Sequence, residues 1–504
     1  MRQTSADRVL ESVRDWLRRS RLPFFSALFF GLLAHGFQLT NKIPIDDDLP
    51  NMWNKGATTV SGRYGLELLR PVLPDLSLPW LWGLLSLVLL AIAVCVMVKL
   101  FRIQSPALQL LLAGVFVSFP AETGTLAYMF TAAPYALALL LTVLGVWVFD
   151  AGKRGRWVLA PLLIAFSCSI YQGYFAFASS FCVILMIRRL ADREEAKAVF
   201  TEGLRLLAML LLSLAVYGLA LLFFSRILGL PLLSEAVNAR QSLPLRVAVA
   251  YSAWLKTLFK GYFAYVPSRP MLLCHLLLLL CAAAALLCRG KKPALREALL
   301  LALCLFLFPL SCYCLYLLAD NGYIHSLALY PYASLYVLCA VLLDGNGFPH
   351  ALPLRRLASL ALALILAGHM IFANAFTLRA KLQYEETYAL YTAVLAQVFA
   401  AEGFDENCRL ALVGQSPASR TDPDGYFPFA QFQLPGVNIT DPLQAEPLIR
   451  NYLGCDIPFA DEVECAAVSE TPDFAEMPVW PYAGSVRKIG DLIVVKLSGE
   501  EGTL

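Results

Sequence analysis

The chain has 504 residues, of which 59% are hydrophobic and only 15% charged, and its mean hydropathy is +0.64. A soluble protein of this length would divide into two or three domains with about 25% charged residues, so the composition excludes that class and points to a polytopic membrane protein. The net charge of +3 gives no reason to invoke nucleic acid as a partner.

Residues 1–21 form a basic head, with Arg2, Arg8, Arg14, Arg18, Arg19 and Arg21. The apolar run that follows has no Ala-x-Ala-like cleavage site and reads as a retained first span rather than a signal peptide. Apolar runs measured against a hydrocarbon core of about 30 Å predict about eleven spans, near 22–40, 78–98, 104–120, 132–149, 157–174, 175–187, 206–227, 271–288, 297–318, 326–343 and 357–377. The pair at 157–187 holds barely enough residues for two crossings, so a re-entrant hairpin is an alternative there. The fold class is therefore mainly α: a helical bundle in the membrane over 22–377, with membrane lipids as its solvent.

Lys and Arg gather in alternate loops, around Lys99, Lys153, Arg188, Lys291 and Arg355. The positive-inside rule then places the N-terminus in the cytoplasm and the intervening loops outside. Two of those outer loops are long, 41–77 and 228–270. Each carries apolar residues interleaved with polar ones, as helices lying in the interface do. The first begins with three consecutive carboxylates, Asp46, Asp47 and Asp48, directly after the first span. At mid-bilayer each would cost about 2.5–3.5 kcal/mol, so they lie at or beyond the interface. Crowded like charges raise the pKa of one of them, which suits proton transfer.

From Leu378 the composition changes. A helical pattern to Glu402 and strand-like runs at Arg409–Val413 and Leu492–Lys496 predict a small α/β domain over 378–504, which the odd number of spans places on the outer, extracytoplasmic side. Ten of the thirteen cysteines lie in apolar runs, where they act as small hydrophobes. Cys455 and Cys465, ten apart in the polar region, are candidates for a disulfide, with Cys408 left over.

Several ordered stretches resemble a known family. Asn41-Lys-Ile-Pro with Asp47-Asp48-Leu49, then Ser61-Gly62-Arg63-Tyr64-Gly65, followed by Ala127-Tyr-Met-Phe-Thr-Ala-Ala-Pro-Tyr-Ala136 and Ser169-Ile-Tyr-Gln-Gly-Tyr174, are similar to the bacterial serotype-converting, Gtr-type O-antigen glucosyltransferases. Tyr64 stands where Trp is expected and Asp46 where His is common. The resemblance implies a GT-C-type membrane glycosyltransferase that takes a sugar from a polyprenyl-phosphate donor on the outer face and passes it to a lipid-linked or surface polysaccharide. It also implies that an acid of the first outer loop, Asp47 or Asp48, is the general base.

Such chemistry needs a base for the acceptor hydroxyl and groups that hold the departing phosphate. Asp46 and Arg63 are candidates in the first loop, Arg63 through a bidentate fork. Glu122, at the end of a span, is a further candidate, as are Tyr171 and Gln172, which offer stacking and hydrogen bonds to a sugar, and His325 at another span end. No P-loop, Rossmann fingerprint or zinc motif supports a soluble nucleotide-sugar donor. No cofactor is required by the sequence, although a divalent metal is compatible with three carboxylates. The competing class is a polyprenyl-linked sugar flippase or other carrier, which predicts internal repeats and acids at mid-bilayer.

Overall fold

The computed structural model describes residues 18–44, 48–49, 62–74, 76–152, 154–229, 242–260, 268–288, 293–317, 326–344, 351–414 and 442–497. Each of the eleven expected runs falls on helix. Among the described residues, eight helices are long and apolar enough to cross a membrane. The pair Pro106–Val117 and Pro120–Ala127, bent by 43°, is either a ninth, broken span or a re-entrant loop. The bend has a local cause: Pro120 lacks an N–H and forces Phe119 into extended backbone (φ −57°, ψ 135°), which stops the first helix and restarts a second. Two further apolar helices, Arg156–Ile170 and Leu327–Leu343, are shorter than a span. The pair read as two crossings or a hairpin is Arg156–Ile170 and Phe175–Ala191, joined by a 3-10 turn at Gln172–Tyr174. At 15 residues the first is about 22 Å long, less than the hydrocarbon thickness.

Helices Pro79–Phe101, Met129–Asp150 and Phe175–Ala191 occupy the middle of the bundle and are mostly buried. The rim helices Ala196–Leu228, Ser268–Leu287 and Leu295–Cys312 turn outward Leu207, Leu211, Phe223, Leu273, Leu280 and Phe306. Apolar surface on that scale belongs in lipid, not water. Glycines let the helices close up, as membrane packing requires where no hydrophobic force draws helices together. A Cβ on Gly83 would lie 1.9 Å from Leu39, and one on Gly65 would lie 2.2 Å from Ser169 Oγ and 2.9 Å from its carbonyl carbon. Because the second obstacle is backbone, Gly65→Ala is expected to destabilise the fold by about 1–3 kcal/mol. Thermal unfolding in detergent checks this, and an unchanged midpoint would contradict the packing.

The two ends of the bundle differ in chemistry. At one end Arg189 pairs with Asp150 at 2.7 Å, Arg188 donates to the Leu100 carbonyl at 2.7 Å, Arg156 faces Glu202, and Asp344 receives the amides of Gln104 and Ser105. These are the ends of the basic loops. The other end carries residues 40–44, 48–49, 62–74, 76–77, 128–135 and 171–174. Of the two amphipathic stretches in the long loops, the described part of the first holds the short helix Tyr64–Leu69, and the second holds the helix Leu243–Lys260, which buries Ala250, Trp254 and Leu258 while Lys256 is exposed. Residues 50–61 and 230–241 lie outside the described residues.

The boundary placed at Leu378 is not a break in the structure. One helix, Ala351–Ala400, runs through it for 50 residues, about 75 Å. Its first half packs in the bundle through Ala361, Leu362, Ile365 and Phe372. Its second half presents Tyr391, Val394, Leu395 and Val398 to a sheet, so one hydrophobic core continues from bundle to C-terminal domain. Composition hid this, because the helix trades lipid for protein and water as surroundings without losing its period. The sheet has order β1-β3-β2, with β1 (Arg409–Val413) parallel to β3 (Leu492–Lys496) and β2 (Val486–Ile489) antiparallel to it. The two strands expected from sequence are β1 and β3. The disulfide is not formed: Cys455 packs against the large core and Cys465, on helix Glu462–Ser469, against a separate small cluster, and all thirteen cysteines are free thiols.

Candidate active site

Asp48 lies eight residues past Thr40, the end of the first span, and is fully buried. One of its oxygens, Oδ2, accepts from Lys42 Nζ, which also donates to Ser77 Oγ at 2.5 Å. The other, Oδ1, is buried with no hydrogen-bond partner among the described residues. Burial raises the Asp48 pKa above the ordinary carboxylate value; the charge and hydrogen bond of Lys42 pull the other way, as do the nearby Ser77 hydroxyl and Phe130 amide. The same burial lowers Lys42, against the pull of Asp48. The result is a carboxylate with one oxygen fixed by a lysine and the other buried without a partner among the described residues, which leaves that oxygen the one able to take a proton.

Arg63 stands at the start of helix Tyr64–Leu69, which Gly65 allows to lie directly on the backbone of Ser169. Its Nη1 donates to the Tyr135 hydroxyl at 2.9 Å, and its guanidinium lies 5.6 Å from the Tyr171 ring centroid. Tyr135 and Tyr171 stack at 4.6 Å, and Tyr171 meets Tyr174 edge-on at 5.1 Å. Gln172 Nε2 donates to the Tyr217 hydroxyl at 3.0 Å, and that hydroxyl donates to the Gly62 carbonyl at 3.1 Å. Arg63, Tyr171 and Gln172, 109 positions apart at most, therefore belong to one network around the break between two helices.

Glu122 was expected at a span end. It lies instead inside the bundle, on the first turn of the bent pair's second helix, where an acid favours the N-terminal end of the dipole. It is 1% exposed, and neither carboxyl oxygen has a hydrogen-bond partner among the described residues. Tyr174 and Tyr330 are near enough to interact with it electrostatically. Through Tyr174 it joins the Arg63 network. The first turns of helix Met129–Asp150 form the wall shared by both halves of the site: Phe130 supplies an amide toward Asp48 and Tyr135 a hydroxyl to Arg63, five residues or about 7.5 Å along the axis.

Asp46, Asp47 and His325 lie outside the described residues. Sequence reading missed Lys42, Ser77, Tyr135 and Tyr217. Lys42, six residues before Asp48 in one loop, was findable as its counter-charge; Tyr217, inside a 33-residue apolar helix, gave no local signal. Among the described residues no group of three His, Cys, Asp or Glu is placed to hold a metal ion.

No curated protein and no solved structure matches the chain. The family model for the glucosyl transferase GtrII does match, over residues 36–342, which takes in the first loop, the bent pair with Glu122 and the Arg63 network. A match across well over half of the chain, with both halves of the site inside it, makes this protein a member of the GtrII glucosyl transferase family.

Proposed function

We propose that the protein transfers a hexosyl group, glucosyl in the first place, from a polyprenyl-phosphate-sugar donor to a cell-envelope glycan such as O-antigen. The reaction takes place on the outer side of the cytoplasmic membrane, in a GT-C-like bundle whose N-terminus is inside and whose C-terminal domain is outside. The observation that carries this reading is the Asp48 carboxyl: buried, outside the spans, one oxygen held by Lys42 and the other without a partner among the described residues, at the end of the bundle away from the basic loops.

The acceptor hydroxyl gives its proton to Asp48 Oδ1 as its oxygen bonds to the anomeric carbon. The bond from that carbon to the donor's phosphate oxygen breaks, and the electron pair leaves with polyprenyl phosphate. Arg63 holds that phosphate through its planar fork, and Tyr171 and Gln172 flank the sugar. A carrier would need none of this chemistry, and a buried carboxyl held by a lysine off the bilayer centre does not favour one. The test is structural analysis of surface polysaccharide with and without the gene. Loss of one glucosyl branch is expected; an unchanged glycan in a strain that makes both protein and donor would overturn the reading.

A further inference from the structure

The first loop does not close its own site. Asn451 Nδ2 donates to the Leu49 carbonyl at 2.8 Å, across 402 positions of sequence. The next residue, Tyr452, places its ring under Lys42, with Nζ 5.9 Å from the centroid. Its ring meets that of Tyr384, on the long helix, edge-on at 5.9 Å. The Tyr452 hydroxyl is buried and has no hydrogen-bond partner among the described residues, so the ring face rather than the hydroxyl makes its contacts.

We propose that the C-terminal domain is part of the transfer site: Tyr452 is a positioning residue that holds the Lys42 ammonium on Asp48, and Asn451 fixes the backbone of Leu49 beside it. The proposal rests on Asp48 as the base. Lysine is a point charge on a flexible stem with three donors. Asp48 and Ser77 take two directions, and the face of an aromatic ring suits the remaining side of a cation. Lys42 is a quarter exposed and would otherwise swing to water. Among the described residues, the titratable groups beside the pair are Tyr452 in the C-terminal domain and, packed on it, Tyr384 of the long helix; Arg450, two residues before Tyr452, is held by Glu446 at 2.8 Å. Arg450 being held, Lys42 is the cation in contact with Asp48, and its departure leaves the carboxyl to bind a proton more tightly.

The experiment measures kcat and donor KM against pH for the full-length protein in lipid, with polyprenyl-phosphate-glucose as donor and the polysaccharide as acceptor. Tyr452→Phe keeps the ring and is expected to reproduce the parent. Tyr452→Leu removes the ring face, and its acid limb is expected to move up by about one pH unit, with about tenfold lower kcat at pH values on the acid side of the parental limb, recovery at higher pH and unchanged donor KM. Lys42→Met should show the same shift. A Leu variant with the parental limb, or a loss equal at every pH, would overturn the proposal. If Tyr452→Leu does not fold, Tyr452→Met gives the same reading. Parental activity in Asp48→Asn would instead remove the base assignment beneath it, so the two failures are distinguishable.

Discussion

Asp48→Asn is expected to lower turnover by about 10²-fold or more, at least ~2.7 kcal/mol of transition-state stabilisation. Asparagine keeps the size of the side chain and can still accept from Lys42, but it cannot take the acceptor's proton. The fold should survive, because Lys42 retains Ser77 and, being a quarter exposed, can reach water. The base works only when ionised, so activity of the parent falls as pH falls through the Asp48 pKa. Since burial raises that pKa, the acid limb lies above the roughly 3.9 of an exposed Asp. Asp47→Asn is the necessary companion, since the resemblance assigns the role to either and only one of two neighbours on extended chain faces a given direction. Near-normal turnover in both variants, measured on purified protein in lipid with donor binding intact, would rule the mechanism out.

Arg63→Ala is expected to cost about 10²-fold in kcat/KM for the polyprenyl-phosphate donor, roughly 2.7 kcal/mol, and Arg63→Lys to recover little of it. The lysine keeps the charge but loses both features the site uses: the hydrogen bond to Tyr135 in a fixed plane and the flat packing on Tyr171. Donor titrations on both variants, read beside their unfolding midpoints, separate phosphate binding from aromatic packing. A parental kcat/KM with a lowered midpoint would show that Arg63 only joins the first loop to the bundle.

Much of this was legible in the sequence because a bilayer imposes a simple rule. Apolar runs had to be helices, and each of the eleven expected runs is helical. What hydropathy could not give was the number of crossings, since Pro120 converts one run into two helices and the run at 157–174 falls short of a span. The site was legible where a charge had no business being apolar: Asp48, Arg63 and Glu122 all stand out against their surroundings. Their partners did not, because Tyr135 and Tyr217 resemble any aromatic in a membrane helix, and Tyr452 meets Lys42 only through folding of the whole chain. In the sequence Glu122 falls at the end of a span, because the break at Phe119–Pro120 that carries it inward is a backbone event, invisible to a hydropathy window.

The unbroken helix Ala351–Ala400 also sets a rotational phase between the membrane and the C-terminal domain. A flexible joint absorbs an added residue; a continuous helix transmits it, turning everything beyond by 100° and lifting it 1.5 Å. One residue inserted between the last membrane turn and Tyr384 would swing Tyr452 away from Lys42 and carry the sheet round with it. Seven would restore the azimuth to within about 20° but raise the domain by about 10 Å, clear of Leu49. Length in this stretch is thus under as tight a constraint as the identity of any side chain in the site.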